Sequence, residues 1–568
     1  MKKIAIFLLL IVLVFSFAAC GLLNGDNGNG GGTGNGGNGG GTGTGTGTGG
    51  GSGSGGGTGG GDPTVDPDPY EYEFGDSVSY NNDKFYEDYT EEDKELYYEL
   101  WKETTTISIK VDITPYELNK INEAFYDYKK GNSAKADTYR KCNLTITVNG
   151  KDYYYEEVGI RMRGNTSRRE FVGSNGLIYD FVHFRFNLSE TFDGEEYESG
   201  AWGSDIYHDW SSDKSGRKAR KNRAFATMEK FYYKWNKNYD QTYVREIYAN
   251  RMFQAYGILA PHVTLAQFQM KQNGAMENLG VGNLYETVDK AFIKRNFDKA
   301  RKGGDLYKCS YGADFTKLES YGVETATQTF TYSLKTNDDR ESADYNHHAY
   351  LKAFIEMLQT NKTAADFKEK LETMVDMDYF TRFEAVNYLL GNPDCIRNNK
   401  NNFYVYFVPV TDGDYTKTKA YVIPYDYDRC LGADVDWNPT GNSMVNAKPY
   451  AKNNGVDTCN NPLYTKTILE GGTAEYRAMY TQQIKKVLAG SWFTYENYQK
   501  LYNAYKANYA SVAMPSQAIK NQCGSKIDMS RFVFNETESS AIDRSDVNLT
   551  VKLYLEKKYA TANNALDK

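Results

Sequence analysis

The chain has 568 residues, 40% of them hydrophobic and 25% charged, with a formal net charge of −8 at pH 7. That balance excludes a chain too polar to bury a core, and the acidic excess argues against wholesale nucleic-acid binding, which needs a basic surface. No second apolar stretch is long enough to span a membrane, and the run at the extreme N-terminus is itself shorter than the roughly 20 residues a spanning helix needs.

Lys2 and Lys3 precede an apolar run over residues 4–17, which ends in Ala18, Ala19, Cys20 and Gly21. A short positive stretch, an apolar core and small residues before a cut site predict a signal peptide over residues 1–19. The cysteine directly after small residues resembles the lipobox of bacterial lipoproteins. Cys20 would then carry lipid and anchor the chain to the extracytoplasmic face of the cell membrane. Residues 21–61 are almost only Gly, Thr, Asn and Ser, a composition that cannot bury a core and behaves as a coil. At about 5–6 Å × √n, such a tether reaches on the order of 35 Å. The prolines at 63, 67 and 69 stiffen its end, so residues 20–69 read as lipidated cysteine and linker.

Residues 70–104 form an acidic, aromatic lead-in with helix-like stretches. The remainder alternates strand and helix signals. Strands are predicted over 106–112 and 158–163, a helix over 115–130, and a hairpin over 142–154 that turns at Asn149-Gly150. Another strand contains His183-Phe184-Arg185-Phe186. Further on come a helix over 244–256 ended by Gly257, a strand over 263–270, and helical stretches over 289–297 and 350–374. A helix over 378–390 is stopped by Gly391-Asn392-Pro393. Strands over 403–410 and 419–423 flank a turn at Asp412-Gly413, and residues 474–568 are largely helical. The order predicts an α+β fold, with a β-rich first lobe and a more helical second one. Residues 105–435 make the core, and 436–568 a helical part of the same domain.

Six cysteines remain after Cys20, widely spaced and without a Cys-x-x-Cys pair. Zinc is therefore not expected, and both disulfides and free thiols stay open. The 49 tyrosines are read as half-buried packing rather than as a carbohydrate platform. The basic run over 214–223 is read as a solvated loop, with docking of an acidic or phosphorylated partner as the alternative.

Two places concentrate oxygen ligands at strand ends. One is Gly391-Asn-Pro-Asp394 with Asn398, Asn399, Asn401 and Asn402. The other is Pro424-Tyr-Asp426-Tyr-Asp428. A carboxylate and an asparagine in one loop with a carboxylate in another suit Mg²⁺ held against phosphate, although Asn/Asp clusters are also ordinary turns. A third feature, Gly159-Ile-Arg161-Met-Arg163-Gly164-Asn-Thr-Ser-Arg168, runs from a strand into a loop that can meet phosphates through amides and guanidinium groups.

Taken in order, these motifs resemble the CotH (spore-coat protein H) family of atypical kinases. So do residues 239–253, 257–261, Asn283-Leu-Tyr-Glu286, 402–406 and Asn461-Pro462-Leu463. The resemblance implies a two-lobed, protein-kinase-like fold that moves phosphate from Mg-ATP to protein hydroxyls, on coat or surface proteins. It implies Asp394 as the catalytic aspartate and Asp426 as the metal ligand, with Asp428 as helper. Asn402 is favoured over Asn399 as the metal-binding asparagine. The resemblance further implies that Arg163 and Arg168 lie near the nucleotide and that Glu286 pairs with a phosphate-gripping cation. For that cation the candidates are Arg185, in the strand where the family often has lysine, and Lys234. The alternative is a kinase-like module that has lost its chemistry and acts as a binding or structural protein.

Overall fold

The structure, a computed structural model, describes residues 89–129, 138–164, 167–238, 240–324, 328–337, 348–433, 444–453, 458–536 and 549–566. All of these belong to one unit, Val65–Lys568. The expected signal peptide, Cys20, the linker and most of the lead-in lie outside the described residues. No helix among the described residues is long and apolar enough to cross a membrane.

Alternating apolar residues build seven strands: β1 (Ile107–Asp112), β2 (Arg140–Val148), β3 (Lys151–Arg163), β4 (His183–Asn187), β5 (Lys230–Trp235), β6 (Val263–Gln272) and β7 (Ala275–Glu286). They close into a barrel in the order β1-β2-β3-β4-β5-β7-β6. Neighbours are antiparallel except β6 and β1, whose parallel pairing of Ser108 with Gln267 seals it. The Asn149-Gly150 turn has both residues at positive φ, 47° and 84°, as a tight hairpin requires.

Ile160, Met162, Phe184, Phe186, Phe231, Tyr233 and Phe268 fill one hydrophobic core with Tyr97, Leu100 and Trp101, the first two from α1 (Glu91–Leu100). Phe268 stacks on Tyr233 with ring centroids 4.2 Å apart. Alternation then turns the intervening residues, Arg161, Arg163, Arg185, Tyr232 and Tyr285, to the opposite face of the same wall. The register sets Arg161 opposite Arg185, Arg185 opposite Tyr232, and Tyr232 opposite Tyr285.

Around the barrel lie α2 (Pro115–Lys129), α3 (Glu195–Glu198), α4 (Lys214–Lys221), α5 (Arg245–Ala255) and α6 (Lys290–Asn296). Every residue of α5 is buried. A second sheet, ordered β12-β11-β8-β10-β9, comprises β8 (Asp305–Cys309), β9 (Tyr321–Gly322), β10 (Tyr332–Leu334), β11 (Phe403–Phe407) and β12 (Ala420–Pro424). On the helical side lie α7 (Ala349–Gln359), α8 (Phe367–Met374), α9 (Met377–Leu390), α10 (Pro462–Thr465), α11 (Ala474–Ala489), α12 (Tyr495–Tyr509) and α14 (Val551–Leu566), whereas α13 (Gln517–Cys523) lies against β7 of the barrel. Most of them share a second core, which includes Phe253, Phe383, Tyr427, Leu463 and Tyr498. The tail also reaches back to the barrel. Tyr509 donates to the Leu265 carbonyl at 2.8 Å and accepts from the Ile107 amide at 2.8 Å, and Ile519 and Cys523 of α13 enter the barrel core.

The α+β expectation is met, with corrections. The strand at 158–163 is the end of one long β3, which stays continuous through a bulge opposite Cys142 and Leu144 with Glu157 at φ 48°. The stretch 350–374 is two helices. The basic run is not a loop. It forms α4, capped by Asp213, with Arg217 paired to Asp193 and Arg220 to Glu157 at 2.7 Å. Cys142, Cys309, Cys395, Cys430, Cys459 and Cys523 are free, buried thiols.

Candidate active site

Two loops meet the outward face of the barrel wall. The first follows α9, which ends at Gly391 with φ 64°. A side chain there would overlap the Tyr554 hydroxyl, 1.9 Å from an added Cβ, so glycine is required by space as well as by conformation. Beyond it, the Asp394 amide donates to Asn392 Oδ1 at 3.0 Å. Asp394 Oδ1 accepts from Asn399 Nδ2 at 2.7 Å and Asn401 Nδ2 at 3.1 Å. Asn402 Nδ2 donates to the Asp394 carbonyl at 3.0 Å. Beneath the loop, Arg397 is buried against Glu384 at 2.9 Å and donates to the carbonyls of Pro449 and Ala451 at 2.9 and 2.8 Å. Burial raises the Asp394 carboxyl above its ordinary value, only partly offset by the two asparagines.

The second loop follows β12. Asp426 sits at φ 63° and Asn402 at φ 55°, a left-handed backbone that a non-glycine residue adopts at a cost and that is concentrated at functional sites. Asp426 and Asp428 turn one way and Tyr427 the other, its hydroxyl 2.8 Å from Asn387 Oδ1. Both aspartates meet Lys234 of β5. Its ammonium contacts Asp426, lies 3.0 Å from Asp428, and lies 2.9 and 3.0 Å from the Glu246 oxygens on α5. Asn283 fixes Glu246 from β7 at 2.9 Å. Burial alone would raise Asp426, but Lys234 outweighs it and holds the carboxyl down at about 2.

A cleft of about 620 Å³ lies between these loops and the barrel wall. Arg161, Arg163, Arg168, Arg185, Lys230 and Lys308 line it together with Asn402 and Asp426. The Arg163 guanidinium lies 3.7 Å over the Tyr232 ring and donates to the Tyr425 hydroxyl at 2.5 Å, which aims a rigid fork along the wall. Arg168 is fixed by its Nε donating to the Gly164 carbonyl at 2.7 Å, and burial lowers it to about 10.

The structure thus brings Asn402, Asp426, Arg163, Arg168 and Arg185 to one cleft. Lys234 and Asp428 stand directly behind Asp426, and Asp394 is tied to Asn402. Asn399 instead spends its amide on Asp394. Glu286 does not join them. Next to Tyr285 on β7 it faces the other way, fully buried, and pairs with Arg295 at 2.6 Å, the Tyr97 hydroxyl at 2.8 Å and the His262 amide at 2.9 Å. The expectation that Glu286 pairs with Arg185 or Lys234 is therefore corrected: its ion pair is with Arg295, and Lys234 meets Glu246 together with Asp426 and Asp428. Glu246 lies within one of the recognised motifs, but a helix buried on every side offers no amphipathic signal to single it out.

Among the described residues no group of three or more His, Cys, Asp or Glu side chains is arranged to hold a metal ion. Asn402 spends its Nδ2 on Asp394, which leaves its Oδ1 as an oxygen donor, and Asp426 has a second carboxylate oxygen. This hard, incomplete oxygen set fits Mg²⁺, which keeps water and phosphate among its ligands.

The model of the family described as CotH kinase protein matches residues 208–539, more than half of the chain. The chain belongs to the CotH family. The CotH match takes in α5, the Asp394 loop, Asp426 and Lys234, and begins after the Arg163–Arg168 segment. Compared with curated proteins, the chain matches none.

Proposed function

We propose that the protein transfers phosphate from Mg-ATP to hydroxyls of a protein substrate. The observation that carries this reading is that Asn402 and Asp426 line a cleft walled by arginines and lysines, with Asp394 tied to Asn402 beside it. The barrel and the helical part each have their own core, and in this reading they would serve as the two lobes of a kinase-like fold. Mg²⁺, when bound, would neutralise charge on the phosphates and hold them in line. Asp426 and the Asn402 oxygen would hold it, with Asp428 behind. Arg163 and Arg185 would take phosphate oxygens from the barrel side. Lys234, braced by Glu246, would supply the compact positive charge that Arg185 cannot. Asp394, oriented by Asn399 and Asn401, would accept or orient the proton of the attacking hydroxyl. Cys20 and the linker would keep this domain on the outer face of the membrane, beside coat or surface proteins as substrates.

Addition of Mg-ATP is expected to raise the thermal midpoint, by the equivalent of about 2.7 kcal/mol at one hundred times the dissociation constant. Asp426→Ala should lose this shift. An unchanged shift in Asp426→Ala would remove the metal role from Asp426.

One observation favours a second reading. Lys234 already clasps Asp426, Asp428 and Glu246, an arrangement that would also serve a purely structural module which binds a surface partner. Retention on a polysaccharide column without any nucleotide-induced shift would support that reading.

A further inference from the structure

Five aromatic side chains line the cleft: Tyr128, Tyr311, Phe330, Tyr404 and Tyr425. Four are engaged. Tyr128 lies under the Arg168 guanidinium at 5.4 Å, Tyr404 and Tyr425 pack edge to face at 5.4 Å, and the Phe330 ring is pressed against Gly322. Tyr311 is different. It is 67% exposed, and among the described residues its side chain makes no hydrogen bond, ion pair or ring contact.

Its backbone is nevertheless tightly held. Residues 310–313 form a turn closed by the Ala313 amide on the Ser310 carbonyl at 3.0 Å, with Gly312 at φ 91°, the conformation that places glycine third in a type II turn. The Ser310 amide donates to the Thr331 carbonyl at 2.9 Å, and the Ala313 amide also reaches the Lys400 carbonyl at 3.1 Å. The turn is therefore bonded directly to the loop that carries Asn401 and Asn402. It also follows β8, so the Tyr311 backbone lies at most ~10 Å from that of Lys308, whose ammonium is 5.2 Å over the Tyr425 ring.

An exposed aromatic ring on a rigid turn, beside a wall of cations, matches a ligand that is anionic at one end and planar at the other. A nucleotide has that form, whereas a hydroxyl-bearing protein side chain has no need of a π face. We propose that Tyr311 is the platform on which the nucleobase of the phosphate donor stacks, an inference that rests on the nucleotide-dependent reading of this cleft.

Titration of the full chain with Mg-ATP and, separately, with magnesium tripolyphosphate tests it, because tripolyphosphate has the anionic end without the base. Tyr311→Ala should weaken Mg-ATP about 10-fold or more while leaving tripolyphosphate affinity unchanged. Tyr311→Phe, which keeps the π face, should restore Mg-ATP binding. Because the position is exposed, the substitution should leave folding intact, and an unchanged thermal midpoint without ligand checks this. Equal losses for both ligands, unchanged Mg-ATP affinity, or a change only in acceptor KM would each overturn the stacking role. A wild-type chain that binds neither ligand would overturn the nucleotide reading itself, and the stacking role with it.

Discussion

Asp394→Asn is expected to lower phosphoryl transfer by about 10²- to 10⁴-fold, the usual worth of a positioned acid or base. The substitution is nearly isosteric, and its Oδ1 still accepts from Asn399 and Asn401, which lie 2.7 and 3.1 Å from it in the wild type. The loop should therefore keep its shape, and the thermal midpoint and Mg-ATP affinity should stay close to those of the wild type. Side-by-side rate and binding measurements separate the outcomes. A variant that retains full turnover would show that Asp394 only shapes the Asn-rich loop, and loss of both binding and folding would give it a structural role.

Glu286→Gln and Glu246→Gln should fail in opposite ways. Glu286 is the anion for Arg295 inside the barrel wall, with Nε and a terminal nitrogen 2.9 and 2.6 Å away. Removing its charge leaves a buried guanidinium uncompensated, a change that typically costs about 3–5 kcal/mol. Stability should fall by that order while Mg-ATP affinity holds, once measured below the new unfolding transition. Glu246→Gln leaves Lys234 two other carboxylates, Asp426 and Asp428, so it should cost less stability. It should nevertheless weaken Mg-ATP by about 10-fold, as loss of a hydrogen bond to a charged group does. Chemical denaturation with nucleotide titration of both variants checks the contrast. A larger nucleotide effect from Glu286→Gln would return the bracing role to Glu286.

That pair also marks where the sequence stops being informative. Alternation along β1, the Asn149-Gly150 turn and the glycine that ends α9 are local signals, and the structure has them close to where local chemistry puts them. The Asn-rich loop and the two aspartates after β12 were legible for the same reason, because their residue types are unusual at strand ends. Barrel closure was not legible, since it rests on a parallel β1–β6 pairing between segments far apart in the chain. The strand β7 was also hard to see, with Gly280 and Gly282 interrupting its side-chain pattern. Without its register, Glu286 and Tyr285 cannot be sorted to opposite faces, and a carboxylate in a recognised motif is naturally placed in the cleft. The basic run over 214–223 misleads in the converse way. Its charge suggests a solvated loop, yet Asp213 caps it and Asp193 and Glu157 take up two of its arginines.

The proposed export signal puts weight on one further question, because ATP is scarce outside a cell. A domain anchored there would meet nucleotide in a closed compartment, use leaked nucleotide, or not be an ATP enzyme at all. Incubation of the purified chain with Mg-ATP carrying a labelled γ-phosphate, followed by intact-mass analysis of the chain and of a serine-containing acceptor, decides between them most directly. The wild type should show a labelled mass gain of one phosphoryl group, a result expected to be absent in Asp394→Asn and Asp426→Ala. No mass gain, a gain of a different group, or a gain that survives both substitutions would contradict the proposed phosphoryl transfer.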